Sequence, residues 1–172
     1  MQAENIKPWL FRVKPLEGES LSHFLGRFRR ANDLTPSGLG KATGLGGAIA
    51  RWEKFRFIPS PSHQQLGKLA SVVGVDVDRL VMMLPPAGVG MKLEPIRLCG
   101  ACYAESPRHK IKWQFKVTQG CNQHKSTLLS ECPECGARFK VPALWVDGWC
   151  HRCFTTFGEM SKYQKSITVF NS

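Results

Sequence analysis

Cys99-Gly-Ala-Cys102, Cys121-Asn-Gln-His124, Cys132-Pro-Glu-Cys135 and Cys150-His-Arg-Cys153 are the four short stretches that set the fold of this chain. In each, two residues separate a pair of metal-ligating side chains, the spacing at which a tight turn aims both at one ion. Two such pairs complete a tetrahedron. Taken in order they give a set of three cysteines and a histidine, Cys99, Cys102, Cys121 and His124, and a four-cysteine set, Cys132, Cys135, Cys150 and Cys153. A cross-braced arrangement, with the first and third pairs sharing an ion, uses the same ligands. The sequential one closes shorter loops at lower entropic cost. Gly136, directly after Cys135, suits the left-handed backbone that ends such a turn.

All 7 cysteines are used, and an odd number cannot pair fully as disulfides within one chain. His124 and the ribbon-like spacing favour zinc over an iron–sulfur cluster. Two structural zinc ions are therefore expected, each closed by four protein ligands with no open position for a reacting water. His109 and His151 are spare histidines near these sites, expected in solvent or behind the ligands.

Upstream of the cysteines, Pro85-Pro86-Ala87-Gly88-Val89-Gly90 breaks the chain, two prolines stopping a helix and two glycines loosening the segment after it. The expected organisation is an N-terminal helical, helix-turn-helix-like domain, 1–86, and a C-terminal double zinc-binding domain, 87–172. The fold class is small α plus zinc-ribbon-like α/β with tandem knuckles. In the first half, Leu21, Phe24, Leu25 and Phe28 recur at helical spacing behind a capping Ser20, and the opposite face carries His23, Arg27, Arg29 and Arg30. Thr35-Pro36 opens a second helix that Gly44 suits as an end, and 48–55 reads as a third. Ser62 and Gln65 form a capping box ahead of Leu66, Leu69, Ala70 and Val73, ended by Gly74. Asp76 then caps a helix over 77–84, with Leu80, Val81 and Leu84 toward a core. In the second half, Ile111, Trp113, Phe115 and Val117 alternate with Lys112, Gln114 and Lys116, the pattern of a half-buried strand.

The formal charge is +11 over 172 residues, and seven thiolates around two divalent ions lower it without changing its sign. Such a chain suits a polyanionic partner. Basic and aromatic residues interleave at Arg51, Trp52, Lys54, Phe55, Arg56 and Phe57, and again at Arg108, His109, Lys110, Lys112, Trp113 and Lys116, giving two candidate nucleic-acid surfaces. Alternatively, the aromatics are core and the charges solvate the other face. Trp9, Leu10 and Phe11 form an apolar cluster near the start, a candidate anchor for a protein partner.

Glu4, Lys7, Arg12 and Lys14 with no long apolar run argue against a signal peptide or membrane span, so a cytoplasmic protein is expected. Gly44-Leu-Gly-Gly47 lacks the lysine of a phosphate-binding loop. The acids are scattered rather than grouped for two-metal chemistry, Glu131 and Glu134 flanking a knuckle and facing solvent. Neither an enzyme nor a small-molecule substrate is expected.

With these residues in view, the sequence resembles the TniQ family of transposon targeting adaptors. Pro15-Leu-Glu-Gly-Glu-Ser20-Leu-Ser-His-Phe-Leu25-Gly-Arg27 looks like its amino-terminal signature. Arg97-Leu-Cys99-x-x-Cys102, Trp113, Cys121-x-x-His124, Leu128 and Cys132-Pro-x-Cys135-Gly136 match its zinc-binding pattern in order. The likeness is strongest to the short TniQ proteins of type V-K CRISPR-associated transposons. It implies an adaptor joining an RNA-guided type V effector, with its guide and tracr RNA on target DNA, to the AAA+ ATPase TnsC. Longer relatives carry added carboxy-terminal DNA-binding regions, and this chain ends soon after Cys153, so target choice is expected to be delegated to the effector. The competing expectation is a sequence-specific DNA-binding regulator that inserts the 77–84 helix into a groove. Asp76 and Asp78 at that helix start would repel phosphate.

Overall fold

A computed structural model of the chain describes residues 11–167. Helix α1 (Leu21–Ala31) begins where Ser20 Oγ accepts the His23 N–H, and the basic Arg29 and Arg30 lie in its last turn, where the helix dipole favours them. Leu21, Phe24, Leu25 and Phe28 are all fully buried, as the helical spacing predicts.

The opposite face of α1 largely meets protein rather than solvent. His23 and Arg29 are buried as well. Arg29 pairs with Glu53 at 2.5 Å, and Arg27 with Glu19 at 3.2 Å. Arg30 donates to the carbonyls of Ala143 and Trp145. The polar face is thus covered from two sides, by Glu19 and Glu53 of the N-terminal half and by Ala143–Trp145 of the C-terminal half.

Helix α2 (Pro36–Thr43) is capped by Thr35 and ended by left-handed Gly44; α3 runs Ala48–Glu53. Helix α4 (His63–Val73) has the full capping box, Ser62 Oγ accepting from Gln65 N–H and Gln65 Oε1 from Ser62 N–H, and Gly74 ends it at φ +69°. Helix α5 (Val77–Val81) is shorter than the sequence suggests, and Asp76 makes no side-chain cap bond. Because it stops early, Val81 is exposed and Met83, beyond the helix, takes the inward place beside Leu80.

The Cys99 thiol caps the short helix α6 (Gly100–Glu105). The alternation over 111–117 does not make a strand; Ile111–Gln114 is a 3-10 turn. Ile111 and Trp113 are buried and Lys112 exposed, as the alternation expects, but Gln114 is buried and Val117 exposed, because a 3-10 turn returns to one face every third residue and sets Gln114 with Ile111. Among the described residues the β component of the expected α/β class reduces to isolated antiparallel bridges, including Cys121 with Ser126, Glu131 with Arg138 and Trp149 with Thr156 at the three knuckles. The protein is thus small, mostly helical and carries two cysteine clusters.

One apolar core runs through both halves of the chain. Its seam lies between α1 and the 3-10 turn Pro142–Leu144. Gly26 allows that approach, since a Cβ there would overlap the Ala143 carbonyl. Ser22 Oγ accepts the Ala143 N–H at 3.1 Å and donates to the Glu53 carbonyl at 2.6 Å. Beside the seam, Trp145 takes edge contacts from His23, Tyr103, His109, Phe139 and Phe157.

Candidate metal centres and nucleic-acid interface

The eight predicted ligands gather into two groups, Cys99, Cys102, Cys121 and His124, and Cys132, Cys135, Cys150 and Cys153, with the ligand atoms of each within 4.8 Å of one another. This is the sequential pairing. Two thiolates on one tetrahedral zinc stand about 3.8 Å apart, and a thiolate and an imidazole nitrogen about 3.5 Å, given metal bonds of about 2.3 and 2.0 Å. The Sγ pairs Cys102–Cys121, Cys132–Cys153 and Cys135–Cys150 are 3.4, 3.5 and 3.6 Å apart. His124 Nδ1 lies 3.7, 3.2 and 3.6 Å from the sulfurs of Cys99, Cys102 and Cys121. A disulfide needs about 2.05 Å, so the spacing is that of sulfurs around a shared ion. Each group is able to bind one metal ion.

Local backbone aims the ligands. Gly136 and Phe154, next after Cys135 and Cys153, have φ +74° and +63°, and their N–H groups donate to the carbonyls of Cys132 and Cys150. Lys125, after His124, has φ +48°. The first pair differs, because Cys99 and Cys102 occupy the start of α6. Gly100 between them is pressed on the Phe157 carbonyl, which a Cβ would overlap.

Around the first centre lies a ring of polar side chains that the spacing of cysteines does not reveal. Glu105 Oε1 is 2.6 Å from His124 Nε2, fixing the ring so that Nδ1 faces the sulfurs. Gln123 donates to Glu105 at 2.7 Å and accepts from Lys110, whose ammonium also reaches Cys102 Sγ at 3.5 Å. Gln164 Nε2 reaches Cys99 Sγ at 3.4 Å. At the second centre the contacts to sulfur are the Arg152 N–H on Cys150 and the Thr155 hydroxyl beside Cys153, which holds that thiol down to about 6. Glu131, Glu134 and His151 face solvent as expected.

His109 is a correction. It is fully buried, its Nδ1 2.9 Å from Ser20 Oγ and its ring against Phe55, Trp113 and Trp145. Burial lowers its pKa well below the ordinary histidine value, so it is neutral. Burial lowers that of His23 too, against the opposing hydrogen bond to the Glu19 carboxylate.

The two basic clusters fare differently. Trp52, Phe55 and Phe57 are core, leaving Arg51, Lys54 and Arg56 exposed without aromatic partners. In the second cluster His109 and Trp113 are buried. Arg108 is half-buried and donates to the carbonyls of Glu17 and Ser106, while Lys110 serves the first centre. Lys112 and Lys116 are exposed. Trp9 and Leu10 lie outside the described residues; Phe11 is 60% exposed, its carbonyl accepting from Asn32.

Compared with known proteins, the sequence pattern of the TniQ family matches residues 10–128, well over half of the chain. The chain belongs to the TniQ family. The match takes in the α1 signature and the whole first centre, and ends before Cys132. No curated protein matches the sequence. TniQ proteins are non-catalytic adaptors, and membership identifies this chain as a transposition-associated targeting protein with partners in the transposition machinery. Among the described residues no helix is long and apolar enough to cross a membrane.

Proposed function

We propose that this TniQ protein is the short adaptor of a type V-K CRISPR-associated transposon. It bridges the RNA-guided type V effector, carrying guide and tracr RNA on target DNA, to the AAA+ ATPase TnsC, and so directs DNA insertion in the cytoplasm. The observation that carries this reading is the single family match joining the α1 signature to the first cysteine cluster.

In this reading the protein makes and breaks no bond. Two zinc ions, one on each ligand set, act as scaffold, since four protein ligands each leave no position for substrate. What the zinc supplies is closure of the knuckle turns; the side chains around it hold the ligands in place. Trp9, Leu10 and Phe11 face TnsC, and exposed lysines and arginines of the two basic clusters face nucleic acid. The division at Pro85–Gly90 into a helical unit, 1–86, and a double zinc-binding unit, 87–172, belongs to the same proposal.

Reconstitution with purified TnsC, the guide-bound effector and target DNA tests it. The expected outcome is stable recruitment only when both partners are present, with two zinc ions per chain by elemental analysis. Tight sequence-specific DNA binding by the protein alone, independent of both partners, would instead establish the helix-turn-helix regulator. The five-residue α5 with Asp76 and Asp78 at its start argues against that alternative.

A further inference from the structure

Arg97 is only 6% exposed, yet among the described residues it has no carboxylate partner. Its two terminal nitrogens donate to the carbonyls of Thr118 and Phe115, both at 2.7 Å. Its Nε is the one buried side-chain nitrogen or oxygen among the described residues without any hydrogen-bond partner. A cation held this way is costly, because two carbonyls solvate it without neutralising it. Its field therefore reaches the surface above it.

That surface is built by two antiparallel segments. The Arg97 contacts staple both ends of the turn Phe115–Thr118, which is also closed by the Thr118 N–H on the Phe115 carbonyl at 3.1 Å. Lys116 and Val117 form its tip, Val117 being 76% exposed. Lys116 N–H donates to the Gly90 carbonyl at 2.8 Å, Lys92 N–H to the Gln114 carbonyl at 2.6 Å, and Met91 bridges Phe115. Buried Gln114 locks the pair, its amide donating to the carbonyls of Lys92 and Pro95 and accepting from Arg97 N–H. Thr118 Oγ1 donates to the Lys112 carbonyl at 2.6 Å. Lys92, Lys112 and Lys116 thus emerge from adjoining backbone, all exposed and none in an ion pair among the described residues. Of the acids, Glu19, Glu53 and Glu105 are engaged in ion pairs, Glu134 on Tyr163 and Glu159 on Thr156, while Glu94, exposed and two residues from Lys92, borders this surface.

We infer that Lys92, Lys112 and Lys116, set over the buried Arg97, form a binding surface for the phosphodiester backbone of a nucleic acid, with Arg97 as its positioning residue. This deepens the nucleic-acid-facing part of the proposed function and rests on it. It also changes the membership read from sequence, adding Lys92 and Arg97 and removing Arg108 and Lys110. Lysines contacting phosphates release condensed counterions, so the surface binds backbone without reading bases.

The test uses the full zinc-loaded chain, a labelled 20-nucleotide RNA and a 20-base-pair DNA, titrated between 50 and 200 mM salt. Lys92→Ala, Lys112→Ala and Lys116→Ala combined are expected to weaken binding at least tenfold at low salt. The slope of log affinity against log salt becomes shallower by about 2 on RNA or about 3 on duplex DNA. The probe showing that change identifies the natural backbone. Lys41→Ala, Lys68→Ala and Lys140→Ala combined, exposed lysines outside both basic clusters, serve as the control and leave the slope unchanged. Arg97→Lys keeps the charge and loses the two-carbonyl staple; it is expected to weaken binding while melting temperature and zinc content hold. Should that variant fail to fold, the triple variant still decides.

An unchanged slope in the triple variant, or an equal loss in the control, overturns the surface. So does a loss seen only on anionic lipid vesicles. Normal binary binding with failed recruitment to TnsC and the effector would sink the bridging role and leave this surface standing.

Discussion

The two metal centres use nearly the same ligands and are built in different ways. The first is keyed into the fold from a distance: Gln164 reaches back to Cys99, Lys110 and Gln123 link Cys102 to Glu105, and Glu105 holds His124. Three of its four ligands are buried. The second is two knuckle turns facing each other, with backbone N–H groups and one hydroxyl on its sulfurs and with Cys135 and Cys153 half-exposed. Between its pairs, however, the chain runs out through Pro142–Trp145 onto α1. The first centre is embedded in the core, and the second closes a loop whose far end completes the core. A metal site therefore stabilises a small protein either through what surrounds it or through what it delivers.

Removing one ligand from each centre puts this contrast under the greatest strain. Cys121→Ser is expected to abolish the fold, because structural zinc contributes about 10–16 kcal/mol, comparable to a whole domain's stability of about 5–15 kcal/mol. Cys150→Ser is expected to keep one metal per chain and the helices while releasing Trp145. Circular dichroism, tryptophan fluorescence and metal stoichiometry read both, and identical outcomes would erase the distinction.

A smaller effect tests delivery alone. Gly26→Ala forces a Cβ into the Ala143 carbonyl, and the backbone must move; overpacking of this kind costs about 1–3 kcal/mol or more. The urea midpoint should fall while both metals stay bound. Retention of the midpoint would mean that the loop does not bear on α1.

Glu105→Gln probes the contrast from the other side. Losing an outer carboxylate on a ligand histidine typically costs about 10- to 100-fold in metal affinity. Competition with a chelator should show one ion released more readily and the other unaffected; equal release from both centres would contradict the ring of partners drawn around the first. Smallest is Phe154→Gly, which relieves a left-handed residue at the second centre and should raise the melting temperature slightly, by the roughly 1 kcal/mol such backbone costs. A decrease would show that the exposed phenyl ring packs to more purpose than its position suggests.

Reading the sequence recovers the parts of this protein that local chemistry controls. Caps at Ser20, Thr35 and Ser62, stops at Gly44 and Gly74, and the buried stripe of α1 come from hydrogen bonding and helical period within a few residues. The surroundings of the polar face of α1 are non-local: Arg29 finds Glu53 on α3, while Arg30 reaches the Ala143 and Trp145 carbonyls and His23 meets Trp145, more than a hundred residues away. The alternation over 111–117 misled because a 3-10 turn repeats every three residues: it buries Gln114 with Ile111, and the turn after it leaves Val117 exposed, where a strand would do the reverse. The aromatic residues of the basic clusters proved to be core, since burial of a tryptophan or phenylalanine is decided by the neighbours it finds.

The ligand inventory, the family and the helical punctuation are legible along the chain, because each is written in fixed spacings. Folding settles the rest: which pairs share an ion, which polar residues stand behind them and which lysines gather above Arg97. Those depend on contacts between segments far apart, closed by long loops, and pattern along a chain carries no information about which loop closes on which.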